Sequence, residues 1–317
     1  MEKETSILQL FPDTYRELFR EVIKQAEQIQ EIRMRAEKPI LIISKGNEFF
    51  LTENGTLSKD ISRAEKIGQR DLEMLLNHIC SYSVYAFEEE IRQGFLTVQG
   101  GHRIGIAGQA VMRTGKEIKS MKFIRFLNIR ISHEILGSAD GVLPFLYENG
   151  TICNTLLISM PGVGKTTLLR DMIRQVSDGN RFFHGMTVGV VDERSELAGC
   201  FQGIAQNNLG IRTDVLDACP KALGMMMLLR SMSPKVIAVD EIGGNEDEEM
   251  IRQVTRCGVK ILATIHGEGM DDLKNSAIGR KLVEEKIFQR YIVLEKKTDG
   301  SVKRTGYDGE FSKCFVC

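Results

Sequence analysis

The chain has 317 residues, 42% of them hydrophobic and 27% charged, with a net charge of −1. Such a composition is that of a soluble globular protein with room for two domains, and its balanced charge gives no basic field, so a nucleic-acid partner is not expected. No apolar run approaches the roughly 20 residues of a membrane span. Seven scattered cysteines, with no recognisable signal peptide, are expected to be reduced thiols of a cytoplasmic protein. The C-x-x-C of Cys314 and Cys317 has no second pair and reads as a plain tail or as a place of opportunistic metal or disulfide chemistry.

In chain order, residues 13–28 read as an amphipathic helix that Asp13 can cap, with Leu18, Phe19, Val22 and Ile23 at helical spacing. Residues 31–35 alternate polar and apolar as a half-buried strand. Lys38-Pro39 turns the chain into a second strand, 40–44, and Asn54-Gly55 marks a hairpin turn. Residues 69–80 form a helix with Leu72, Leu75, Leu76 and Ile79 on one face. A hairpin follows over 95–98 and 104–111, then a strand over 124–131. Residues 1–136 are therefore expected to be a smaller α+β domain without a phosphate loop of its own, and 137–149, opening with Gly-Ser-Ala-Asp-Gly, a linker. Arg33, Arg35, Arg103, Arg125 and Arg130 fall on its strands and hairpins. They read either as a solvated face with ordinary ion pairs or as arginines delivered to a nucleotide held elsewhere.

From residue 150 strands and helices alternate: strand 155–159, helix 165–177, strand 187–192, helix 220–232, strand 236–240, helix 245–257, strand 259–265 and strand 291–296. This is the signature of an α/β domain with a mostly parallel sheet covered by helices, expected over 150–317. Its first strand runs into Ser159-Met160-Pro161-Gly162-Val163-Gly164-Lys165-Thr166-Thr167. Strand, glycine loop and helix in that order make a phosphate-binding loop. Gly162 and Gly164 let backbone N–H groups close around phosphate oxygens, Lys165 reaches the terminal phosphates, and Thr166 offers a hydroxyl to Mg²⁺. Ser159 stands where the pattern G-x-x-x-x-G-K-[ST] has its first glycine; that position only starts the turn, so a small serine fits.

A second site is expected at Val236–Glu241, an apolar strand ending in two carboxylates. The C-terminal edge of a parallel sheet is where ligands bind. Asp240 is expected in the Mg²⁺ shell, and Glu241 to orient or activate water. The acidic stretch Asp192–Glu196 ends another strand and reads as a second carboxylate cluster or as a charged turn. His266 ends the strand after the Asp240 strand and is expected to sense the terminal phosphate or to hold the carboxylates. Residues 206–214 read as a polar surface loop, and the three methionines at 225–227 as part of a buried helix.

The runs Val188–Cys200 and Gln206–Gly244 resemble the stage III sporulation protein AA family of endospore-forming bacteria. That family is in turn similar to the RecA-like ATPases of type II and type IV secretion, in which an N-terminal domain precedes the motor and six subunits form a ring. The resemblance implies ATP and Mg²⁺ as ligands, a phosphate-loop role for 159–166, and an acidic box with Glu193 and Glu196 flanking Arg194. It also implies a second acidic motif at Asp240 and Glu241, a histidine box at His266, and nucleotide-reaching arginines for which Arg103 and Arg130 are the candidates. Many secretion ATPases carry Gly at the position of Asp240 and Arg at that of Gly243, and this chain differs at both. The resemblance further implies a hexamer in the mother-cell cytoplasm, docked on membrane-anchored proteins of a channel between mother cell and forespore.

Three functions fit. A ring-forming ATPase would depend on Glu241 and speed up as subunits associate. A RecA-like nucleic-acid motor would bind single strands in a salt-dependent way. A nucleotide-gated scaffold would bind ATP and scarcely turn it over.

Overall fold

A computed structural model describes residues 2–113 and 117–317, which fall into two compact units. The first holds the chain up to His133 together with Gly199–Gln206; the second holds Glu134–Ala198 and Asn207–Cys317.

The first unit is a seven-stranded antiparallel sheet in the order Leu57–Ser58, Asn47–Leu51, Leu41–Ser44, Ile29–Arg35, Ile118–Arg130, His102–Met112, Phe95–Val98. Along Ile29–Arg35 the alternation does what its period dictates: Ile32 and Met34 are fully buried, while Glu31 and Arg33 pair on the other face. Helices Asp13–Ile23 and Gln69–Ile79 bury Phe19, Val22, Ile23, Leu72, Leu75 and Leu76 against that apolar face. The helix expected over 13–28 stops at Ile23, and the next strand starts at Ile29 rather than 31. The reason is tertiary: the Gln28 carbonyl is already engaged by Lys45 N at 3.0 Å and Ser44 Oγ at 3.1 Å, so the chain has joined the sheet.

The second unit carries an eight-stranded sheet in the order Thr213–Asp217, Val188–Asp192, Val236–Val239, Lys260–His266, Thr155–Ser159, Arg290–Lys296, Val302–Asp308, Lys313–Val316. The first six run parallel and the last two antiparallel. Strands Thr155–Ser159 and Val188–Asp192 are buried at every residue, as parallel strands covered on both faces must be. Helix Lys165–Asp178 buries Leu168, Leu169, Met172, Ile173 and Val176. Helices Asn245–Arg256 and Ala277–Glu284 add Ile251, Val254 and Leu282 to a cluster with Leu156, Ile158, Val239 and Tyr291. Each such side chain contributes about 1.5–3 kcal/mol of burial. Among the described residues no helix is long and apolar enough to cross a membrane.

Two segments differ from expectation. The stretch 137–149 packs within the second unit: Ala139, Val142, Leu143 and Leu146 are buried, and Ala139 N donates to the buried Asp171 carboxylate at 2.7 Å. The polar stretch 206–214 is a loop only in its first part, because Thr213 opens the sheet's edge strand. That strand is half-buried throughout, so it lacks the apolar run that announces its neighbours.

Candidate nucleotide site

The parallel strands end on one edge, and their register brings the expected residues together there. Ser159 lies beside His266, and Val239 beside Ala263. After Ser159 the chain passes through Gly162 at φ +75° and Gly164 at φ +112°, conformations that favour glycine, before Lys165 starts a 14-residue helix. A Cβ at either glycine would meet nothing within 4 Å beyond its own chain neighbours. The loop is therefore open on that side, and its glycines answer to backbone conformation and to what approaches from outside.

Lys165 is buried, with 7% of its surface exposed. Its ammonium donates to Ser159 O at 2.7 Å, Met160 O at 3.3 Å and His266 Nδ1 at 3.0 Å. Burial pushes its pKa down, and the negative charges of Asp240 and Glu241 oppose that. Because Nδ1 faces an ammonium it accepts, which leaves Nε2–H as the donor to Glu241 Oε1. The other Glu241 oxygen, Oε2, takes Arg194 at 2.8 Å. Burial pushes the Glu241 carboxyl up, but the His266 hydrogen bond and the Arg194 charge outweigh it and hold the group below the usual glutamate range. Asp240 accepts the Thr166 hydroxyl on Oδ2 at 2.6 Å and the Thr264 hydroxyl on Oδ1.

This donor set fits a nucleoside triphosphate with its divalent ion. An open glycine loop at the N-terminus of a 14-residue helix suits phosphate, and a hydroxyl beside a carboxylate suits a hard cation. Among the described residues no trio of His, Cys, Asp or Glu could hold a metal alone. An ion here would share its shell with phosphate and water.

The comparisons with known proteins give the family and the fold. The family model described as sporulation stage III, protein AA matches residues 1–313. The chain belongs to this family. It is 39% identical over 300 residues to the stage III sporulation protein AA of Bacillus subtilis (strain 168), covering 94% of this chain and 93% of that one. In fold it is similar to the Legionella pneumophila ATPase DotB, with a TM-score of 0.61 and 15% identity over 93% of this chain and 80% of that one. The pilus retraction motor PilT, solved with bound ADP, gives 0.58 and 17% over 90% and 81%. The fold of this sporulation-family protein is thus that of P-loop ATPases: a mostly parallel α/β sheet preceded by a smaller α+β unit.

The remaining expected residues make contacts of other kinds. Glu193 pairs with Lys221, whose charge also helps to lower the Glu241 pKa. Glu196 donates its backbone N–H to Asp192 Oδ1 at 2.9 Å, and its carbonyl accepts from Arg170 at 2.6 Å. Arg103 and Arg130 belong to the first unit, directly opposite each other on adjacent strands; the Arg103 guanidinium lies 3.7 Å from the centre of the Phe95 ring. The Ser159 hydroxyl donates to Met160 O at 2.9 Å.

Sequence reasoning missed Thr264. It sits within an apolar strand between Ala263 and Ile265, where a threonine is ordinary filling, and only the neighbouring strand's register reveals its partners. It also left Asp192 undistinguished from the acidic turn next to it.

Proposed function

We propose that this sporulation-family chain hydrolyses ATP with Mg²⁺ and that its subunits form a ring, a hexamer, whose turnover drives assembly of, or transport through, a mother cell–forespore channel. The observation that carries this reading is the single network joining Lys165 and Thr166 on the loop–helix junction to Asp240, Glu241 and His266 on two neighbouring strands.

In this mechanism the Lys165 ammonium exchanges its loop carbonyls for phosphate oxygens, and the N–H groups of the glycine loop complete the cradle. Thr166 and Asp240 would hold Mg²⁺, and the ion would supply positive charge to neutralise the phosphates. Glu241, kept ionised at neutral pH, orients the attacking water and accepts its proton. The water oxygen bonds to the γ-phosphorus as the bond to the bridging oxygen breaks, and ADP leaves with that electron pair. His266 holds Glu241 in place through Nε2–H. Arg103 and Arg130 are the arginines proposed to reach the nucleotide, and Glu193 and Glu196 to act from the rim of the site. The proposed setting is the mother-cell cytoplasm, with docking on membrane-anchored channel proteins.

The test is ATPase rate per subunit against protein concentration, with light scattering on the same samples. The expected result is a rate that climbs as a ring forms and that Lys165→Ala and Glu241→Gln both abolish. Hydrolysis by Glu241→Gln at the wild-type rate would overturn the assignment of the base. A negligible rate at every concentration despite tight ATP binding would instead favour a nucleotide-gated scaffold.

A further inference from the structure

We infer that Thr264 is a positioning residue that couples the two carboxylates of the nucleotide site, a role that rests on the proposed ATPase activity and refines it. Thr264 is fully buried in the strand Lys260–His266, two residues before His266. It lies just past the point where the neighbouring strand Val236–Val239 ends.

At that point the main-chain ladder is replaced by a side chain. Ile242 N donates to Thr264 O at 2.8 Å, but Glu241 N donates to the Thr264 hydroxyl oxygen at 2.7 Å. The same hydroxyl gives its proton to Asp240 Oδ1. One group thus accepts from the backbone of the glutamate and donates to the carboxylate of the aspartate, which uses its proton and one lone pair.

The effect is twofold. With Oδ1 tied down, the Asp240 carboxylate is fixed in rotation and Oδ2 faces the Thr166 hydroxyl, at 2.6 Å. And Glu241 is held at φ +58°, a left-handed conformation that ordinary side chains avoid unless the surroundings impose it. That backbone aims its carboxylate between His266 Nε2 and Arg194. The proposed metal carboxylate and the proposed base are therefore aligned through one hydroxyl, although Thr264 touches neither the water nor the phosphates in the proposed mechanism.

Thr264→Val is nearly isosteric and removes both hydrogen bonds, whereas Thr264→Ser keeps the hydroxyl and loses a methyl group. The experiment measures affinity for a fluorescent ATP analogue with and without Mg²⁺, steady-state kcat and KM, and thermal stability, on the full chain. For Thr264→Val the expected result is unchanged affinity without Mg²⁺, a smaller gain in affinity when Mg²⁺ is added, and a kcat lower by about 10- to 100-fold, the usual effect of an outer-shell partner. Thr264→Ser is expected to recover most of both losses. A purely structural role would give the opposite order of information: reduced Tm in both variants, with kcat and the Mg²⁺ increment unchanged well below Tm. That result overturns the proposal, as does a Thr264→Val kcat within twofold of wild type.

The binding arm separates this idea from the ATPase reading. If the wild type binds the analogue in a Mg²⁺-dependent way but does not turn it over, the hydrolysis reading fails while the Mg²⁺ increment still decides the role of Thr264. If the wild type shows no Mg²⁺-dependent binding, both fall.

Discussion

Val190-Val191-Asp192-Glu193 and Ala238-Val239-Asp240-Glu241 end neighbouring parallel strands in register, Val190 beside Ala238 and Val191 beside Val239. The two aspartates nonetheless meet different surroundings. Asp192 is 2% exposed and accepts the backbone N–H groups of Glu196, Leu197 and Ala198 at 2.7–3.0 Å. Asp240 is half-buried and accepts two hydroxyls, one of them from the phosphate loop. The difference arises in the turn that leaves each strand. After Asp192 the chain turns at Ser195, φ +51°, and folds its next N–H groups back onto the carboxylate. After Asp240 it turns at once, at Glu241, and Thr264 captures the next two N–H groups. One carboxylate is enclosed by its own loop; the other is left facing a neighbour's. Equal residues on equal strands become an enclosed hub and a partner of the glycine loop's threonine according to a turn three residues later or one.

Exchanging the consequences of the two positions is the strongest test of that contrast. Asp240→Asn is expected to lower kcat at least about 100-fold by spoiling the proposed ion shell, with little change in Tm. Asp192→Ala should do the reverse. It orphans three buried N–H groups and is expected to cost about 2–4 kcal/mol, a drop of several degrees in Tm, with kcat per folded subunit reduced far less. Steady-state rates and thermal melts on the same preparations decide it. Equal kinetic losses in both variants would mean that the Asp192 loop belongs to the reacting machinery.

A pH dependence sharpens the same comparison. Burial pushes the Asp192 carboxyl up from 3.8 to about 6, against the pull of its three backbone donors. Because the folded-state pKa lies above the unfolded one, the native state binds more protons between these two values. This group's contribution is therefore fully present below the unfolded pKa and is lost as pH rises through about 6. The loss amounts to roughly 3 kcal/mol by the linkage relation. Subtracting the Asp192→Asn stability curve from that of the wild type isolates it. The expected difference falls with rising pH across that window, and a flat difference would show that the carboxylate is not the buried hub described.

How far was this legible beforehand? The glycine loop, the Asp240 strand and His266 could be read because their signals are local: an apolar run, a turn and a reactive residue within a few positions. The parallel direction of the central strands followed from the alternation of elements. Thr264 could not be read, because its meaning lies in which strand runs beside it. Nor could Asp192, since its fate depends on a left-handed turn at Ser195, a residue with no special claim to that conformation. The C-terminal strands 302–308 and 313–316 were missed because half-exposed antiparallel strands mix charge with apolar residues.

Arg194 gives a smaller effect on the Asp240–Glu241 side of the comparison. It is 58% exposed at the side chain and pairs with Glu241 at 2.8 Å. Removing it by Arg194→Ala takes away one of the forces that hold the Glu241 carboxyl down. The acid limb of the kcat/KM profile is therefore expected to move to higher pH. Because the pair is exposed, the displacement should shrink as salt is raised. A limb that stays in place would assign the low Glu241 pKa to His266 and Lys221.

The smallest effect is expected at Ser159, the residue that departs from the phosphate-loop pattern. Its backbone carbonyl holds Lys165, while its side chain donates only to Met160 O next to it. Ser159→Gly keeps the carbonyl and removes the side-chain contact, so ATP affinity and kcat should stay within about twofold of wild type; the added chain freedom should cost about 0.5–1 kcal/mol of stability. Analogue binding and a melt on the variant check this. A large kinetic change would mean that the serine hydroxyl leaves Met160 and meets the nucleotide, which would place a side-chain donor in a loop otherwise served by backbone N–H groups and Lys165.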